Sequence, residues 1–114
     1  MKNILILFFI LFTPTLLYSQ SNDSVKKNGG VEMFDTGLEK SEQERFKDAI
    51  KDYTNAIKIN PEYADAYFYR GCARYEIGDY KSAIKDFDQA ISVNPYYVDA
   101  YYYRGLVKDK LAEA

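Results

Sequence analysis

The chain has 114 residues, which is room for one domain and not two. Its 47% apolar and 28% charged content excludes a disordered chain, and its net charge of −2 excludes a broad basic field for nucleic acid or an anionic membrane. With no His and a single Cys it lacks the commonest general base and metal ligand, and it can build neither a disulfide framework nor a zinc site made of cysteines alone.

Residues 1–19 have the three-part layout of a secretory signal peptide. Lys2 supplies the positive start, Ile4 to Phe12 is an unbroken apolar run, and Ser19 is a small residue before Gln20. Leu17, three positions before that cut, is larger than the ideal, so the site itself is less sharply defined than export. The alternative is an uncleaved anchor over residues 4–18, but this segment contains Pro14 and falls short of the roughly 20 apolar residues a spanning helix needs. Membrane association is expected only in that case. The expected location is periplasmic or secreted, in a bacterial style of layout. Residues 20–29 are polar and Gly-ended, a linker by composition. Asn22-Asp23-Ser24 and Asp23-Ser24-Val25 fit glycosylation triplets, but three-residue matches carry little, and the segment reads as ordinary linker.

From Gly30 onward the chain repeats itself. Shifted by 34 residues, 30–63 overlays 64–97 with 13 identical pairs, too many for unrelated segments. Among them are Gly37/Gly71, Ala49/Ala83, Asp52/Asp86, Ala56/Ala90, Asn60/Asn94, Pro61/Pro95 and Tyr63/Tyr97. A second shift lays Asp65-Ala66-Tyr67 over Asp99-Ala100-Tyr101, and residues 98–114 then form the first helix of a third unit. A fixed period of this size signals stacked supersecondary units.

Each unit reads as two helices. In unit two Asp65 favours the positive end of the first helix, Gly78 ends it in the left-handed conformation, and Asp79 is placed to cap the second. Tyr80, Ala83, Ile84, Phe87, Ala90 and Ile91 recur in steps of three and four, one face of a helix. Asn94-Pro95 stops it, because Pro disfavours helix in the residue before it. Unit one has Glu44-Arg45 where unit two has Gly-Asp, so its first helix is expected to end less sharply.

These residues resemble the tetratricopeptide repeat, whose 34-residue signature places an aromatic, Gly, Ala, aromatic, Ala and Pro at fixed offsets. Unit two matches at Tyr67, Gly71, Gly78, Tyr80, Ala83, Phe87, Ala90 and Pro95. Unit one matches at Met33, Gly37, Phe46, Ala49, Tyr53, Ala56 and Pro61, and unit three at Tyr101 and Gly105. Arg70 and Arg104 stand where Leu is usual. The resemblance implies an all-α fold: helix pairs stacked as a short right-handed solenoid, with one extra C-terminal helix. These matching residues are expected to pack the repeats, with Gly71 admitting the paired helix, Phe87 filling the gap between units, and Tyr101 and Gly105 seating the last helix on unit two.

The resemblance also implies a non-catalytic module that binds a peptide or partner segment on the concave face lined by the first helices. No cofactor and no metal is expected. Ten of the 12 Tyr lie between Tyr63 and Tyr103, more than the signature needs. The first-helix positions form columns: Phe34, Phe68 and Tyr102; Leu38, Cys72 and Leu106; Asp65 and Asp99; Glu42, Glu76 and Lys110. With Tyr69, Tyr75 and Tyr103 they predict an aromatic groove with an acidic margin, suited to a partner that is not strongly acidic and unsuited to nucleic acid. Family members that clamp acidic chaperone tails carry Lys, Asn and Arg in these columns, and here those positions hold Asp, Phe, Leu and Tyr.

Other features read as structural. Cys72 has no His to activate it and reads as a small helix residue. Asp52 and Asp86 read as a solvated outer face rather than metal ligands. The last helix is apolar nearly all round, which predicts a weak homodimer through that helix, with a truncated piece of a larger repeat array as the alternative.

Overall fold

A computed structural model describes residues 29–113 of the chain. The signal peptide and all but the last residue of the linker lie outside the described residues. Five helices follow one another: α1 over 29–42, α2 (Phe46–Ile59), α3 (Ala64–Glu76), α4 (Tyr80–Val93) and α5 (Val98–Glu113). No strand occurs among the described residues, and none of their helices is long and apolar enough to cross a membrane. The architecture is an all-α repeat solenoid with α5 as the extra C-terminal helix.

Gly29 and Gly30, read from composition as the end of a linker and the first residue after it, are helical and lie against Ile59. Tertiary contact with α2 overrides their low helix propensity.

The helices come in pairs because small residues face rings. A Cβ placed on Gly37 would stand 2.6 Å from Tyr53 Cε1, and one on Gly71 would stand 2.9 Å from Phe87 Cε1. Only glycine allows this approach. Ala49, Ala56, Ala83 and Ala90 are completely buried on the facing helices. Two apolar clusters result, one around Tyr53 and one around Phe87. Phe87 also meets Tyr103 of α5, so it bridges units as well as filling its own.

The turns repeat as closely as the helices. Asn60 and Asn94 are extended, as a following Pro requires, and their Oδ1 atoms accept the amides of Glu62 and Tyr96. Tyr67 Oη donates to the Pro61 carbonyl at 2.9 Å, and Tyr101 Oη donates to that of Pro95 at 3.0 Å.

Two local expectations are corrected. Asp79 precedes α4 but makes no side-chain capping bond; its amide instead donates to Arg74 O at 2.8 Å, closing α3. In unit one the first helix ends no less sharply than in unit two. Arg45 N donates to Lys40 O at 2.8 Å, and Glu44 takes the left-handed conformation (φ 59°) that Gly78 takes in unit two (φ 82°). Both helices therefore close with the same six-to-one bond.

A third correction concerns Asp52 and Asp86, which are buried rather than solvated. Asp86 is only 2% exposed. Arg70 grips it with two bonds, Nε to Oδ2 at 3.0 Å and Nη2 to Oδ1 at 2.7 Å, and Arg74 Nη1 adds a third at 2.8 Å. In unit one the acid is Asp52 and its partner is Lys40, with Nζ 2.7 Å from Oδ2. The Arg at the signature's Leu position is thus a partner for the acid of the facing helix.

Candidate functional site

The first helices of units two and three, α3 and α5, run side by side, and a depression of about 420 Å3 lies between them. Its lining is Phe68, Tyr69, Cys72, Tyr75 and Glu76 from α3 with Asp99 and Tyr103 from α5. These seven residues are all in the predicted columns or beside them. Stacking α5 on unit two brings them together: Ala100 and Val107 are buried against that unit and fix the height at which Tyr103 and Asp99 stand.

The rings share the work unequally. Phe68 is 5% exposed and forms the floor, edge-on to Tyr69 at 5.1 Å and to Tyr103 at 5.5 Å. Phe34 is 8% exposed, covered by Tyr53, Tyr63 and Tyr69. Of the Phe34–Phe68–Tyr102 column, Phe34 lies outside the depression and Phe68 is reached only as its floor. The column's first two members are core, because the neighbouring tyrosines close over them, while Tyr102 is 64% exposed and stands edge-on to Tyr103. Leu38 is half-buried against the first apolar cluster, and Leu106 is exposed on α5 beyond the depression.

The acidic margin is also uneven. Asp65 is engaged, accepting the hydroxyl of Tyr97 at 2.5 Å. Burial and this bond hold the Tyr97 hydroxyl firmly protonated. Tyr63 and Tyr97 were legible as an identical pair at the repeat offset, but nothing in the helical pattern assigned Tyr97 a partner. Glu76 and Asp99 remain as exposed carboxylates at the rim. Cys72 lies between them. Burial pushes its thiol up to about 12, and the negative charges of Glu76 and Asp99 add to the rise. Burial likewise raises Tyr69, with Asp65 contributing.

Chemically the depression offers aromatic faces, two rim carboxylates and a protonated thiol. Among the described residues no cluster of His, Cys, Asp or Glu could hold a metal ion.

The far end of the array differs from the expectation. Gly105 does not seat α5 on unit two; it is exposed, and no neighbouring atom lies within 4 Å of a Cβ placed on it. Tyr101 holds unit two through its hydroxyl bond to the Pro95 carbonyl, and its half-exposed ring lies under the Arg104 guanidinium, 5.3 Å from the ring centroid.

Residues 37–78 match a family described as TPR repeat, and residues 64–97 match the tetratricopeptide repeat itself, so the two matches together cover more than half the chain. The chain carries tetratricopeptide repeats. Among solved tetratricopeptide structures, the TPR domain of Arabidopsis OM64 is 26% identical, with a TM-score of 0.75 over 77% of this chain and 73% of that one. The second TPR of Spaghetti (RPAP3), bound to the HSP90 peptide SRMEEVD, is 27% identical with a TM-score of 0.75, covering 84% and 85%. The TPR2B domain of yeast Sti1, in a complex with pHsp70, is 29% identical with a TM-score of 0.73, covering 75% and 68%. No curated protein matches the chain.

Proposed function

We propose that this tetratricopeptide repeat chain is an exported, non-catalytic protein-interaction module that holds a cationic or aromatic-rich peptide in the depression between α3 and α5. The observation that carries this reading is the lining itself: Tyr69, Tyr75 and Tyr103 over a Phe68 floor, with Glu76 and Asp99 at the rim. Tyrosine gives wide contact at low entropy cost, and the rim carboxylates favour Lys or Arg and repel acidic segments. Neighbours of the same fold are seen with peptides bound, which supports the class of ligand. The peptide SRMEEVD is acidic, and the charge at this rim is of the wrong sign for it.

Fluorescence anisotropy with the full chain and two labelled peptides, one rich in Arg and Tyr and one SRMEEVD, tests this. The basic peptide should bind and SRMEEVD should not. Glu76→Lys should weaken the basic peptide by about tenfold, the scale of a charge reversal at a binding rim. Preference for SRMEEVD, or indifference to Glu76→Lys, would reject the reading.

Export through residues 1–19 is part of the proposal and rests on their layout. Intact mass of the protein from envelope fractions should place its start near Gln20. A full-length mass in the membrane fraction would instead mean an anchor over residues 4–18.

A further inference from the structure

Twice among the described residues this chain holds a guanidinium in the same way, with a tyrosine ring against its face and a carboxylate at its edge. Arg70 lies over the Tyr67 ring, 5.7 Å from the centroid, while its Nε and Nη2 donate to Asp86 at 3.0 and 2.7 Å. Arg104 lies over Tyr101 at 5.3 Å, and its Nη1 donates to Asp88 at 2.8 Å. The pairing suits the group. A guanidinium is planar and weakly hydrated, so its face leaves water readily while its edge donors stay bonded.

The depression between α3 and α5 presents the same two components and no cation. Tyr69 and Tyr103 stand nearly perpendicular to the Phe68 floor, at interplanar angles of 81° and 78°. Asp99 is beside these rings. Burial raises the Tyr69 hydroxyl and the Cys72 thiol, and the charge of Asp99 adds to both rises, so its carboxylate is within electrostatic reach of each. None of the lining residues is Lys or Arg. Neither Asp99 nor Glu76 enters the ion pairs among the described residues, whose acids are Asp48, Asp52, Asp86, Asp88 and Glu113. The protonated thiol adds no charge, so the two carboxylates set the sign of the site.

We infer that the depression is a guanidinium pocket, in which one arginine side chain of the partner lies between Tyr69 and Tyr103 over Phe68 and donates to the Asp99 carboxylate. This deepens the reading that the depression holds a cationic peptide, and rests on it. Glu76, on the far side of Cys72, contributes charge without contact. Lysine is the poorer occupant. Its compact ammonium is strongly hydrated, would give up more water over an apolar floor, and has no plane to lay against a ring.

Fluorescence anisotropy with the full chain compares the labelled peptide rich in Arg and Tyr with a copy in which every Arg is replaced by Lys. Net charge is the same, so a rim acting by charge alone binds both equally. The arginine peptide should bind about fivefold or more tightly, the scale of one cation–π contact partly out of water. Asp99→Asn and Tyr103→Leu should each bring the ratio of the two affinities close to one. Glu76→Gln should weaken both peptides and leave the ratio unchanged. Tyr103 also packs on Phe87, so circular dichroism checks the fold of that variant, and Asp99→Asn, at an exposed side chain, decides if it misfolds. Equal binding of the two peptides to the wild type, or a ratio that survives Asp99→Asn, would overturn the guanidinium pocket and leave the cationic-peptide reading standing. Binding of neither peptide would overturn both.

Discussion

The edge of the Phe87 ring occupies the space where a side chain on Gly71 would stand. A methyl at that point would lie 2.9 Å from Cε1 and 3.1 Å from two further ring atoms, and the ring is buried with no room to withdraw. Gly71→Ala should therefore cost about 1–3 kcal/mol of stability, the range for overpacking a well-filled core. Gly105→Ala, at the same repeat position with open space around it, should be neutral or stabilise by up to about 1 kcal/mol through helix propensity. Urea unfolding of the two variants checks the contrast. Equal effects would mean that the ring contact does not govern the helix pairing.

Asp86 is the most heavily used acid among the described residues. Asp86→Ala would leave Arg70 and Arg74 facing each other without their shared counter-charge. The loss should be about 3 kcal/mol, the low end for breaking a buried pair because both arginines keep some contact with water. Asp52→Ala removes a single partner from a half-exposed Lys40 and should cost about 1 kcal/mol or less. Chemical denaturation gives both values, and the order of the two is the informative result.

Glu44 is a left-handed residue without the freedom of glycine. That conformation costs an L-residue roughly 1–2 kcal/mol. Glycine there regains most of this and loses some to unfolded-state entropy. Glu44→Gly should raise stability by about 0.5–1 kcal/mol in urea unfolding, with α1 and α2 unchanged.

The Cys72 thiol is held up to about 12 by burial and the nearby carboxylates. At pH 8 it should react with iodoacetamide at least about tenfold more slowly in the folded chain than in the urea-unfolded chain, since the thiolate is the nucleophile. The same shift sets a pH dependence. The unfolded thiol ionises at lower pH than the folded one, so stability is whole below that range and falls as pH rises toward 12. The raised hydroxyls of Tyr97 and Tyr69 act in the same direction. Stability measured between pH 7 and 11 should decline only in the upper part.

The helix-pair architecture was legible because its determinants are spaced by the repeat and need no knowledge of what lies opposite. Gly37, Gly71, the four alanines and the Asn-Pro turns declare themselves by recurring. The partners of polar groups were not legible in this way. Lys51-Asp52 and Lys85-Asp86 look like a solvated face, and only the approach of Lys40, Arg70 and Arg74 from the neighbouring helix shows why the acids are buried. The groove was partly legible for a related reason. Periodicity places Phe34 and Phe68 on the inner face, but rings from the next helix decide whether that face is surface or floor. At α5 the repeat pattern names Gly105 as a packing residue, and no neighbouring atom lies within 4 Å of a Cβ placed on it.

The hydroxyl bonds from Tyr67 to Pro61 and from Tyr101 to Pro95 are the same tie made twice, one per junction. Each joins the first turn of a new unit to the corner that delivered it, so a torsion at that corner would have to stretch the tie. With Pro holding its own φ in the same corner, each junction behaves as a stiff elbow. Bending of the array is thereby directed into sliding between packed helices, and the spacing of the groove between α3 and α5 follows that sliding instead of swinging open at a hinge.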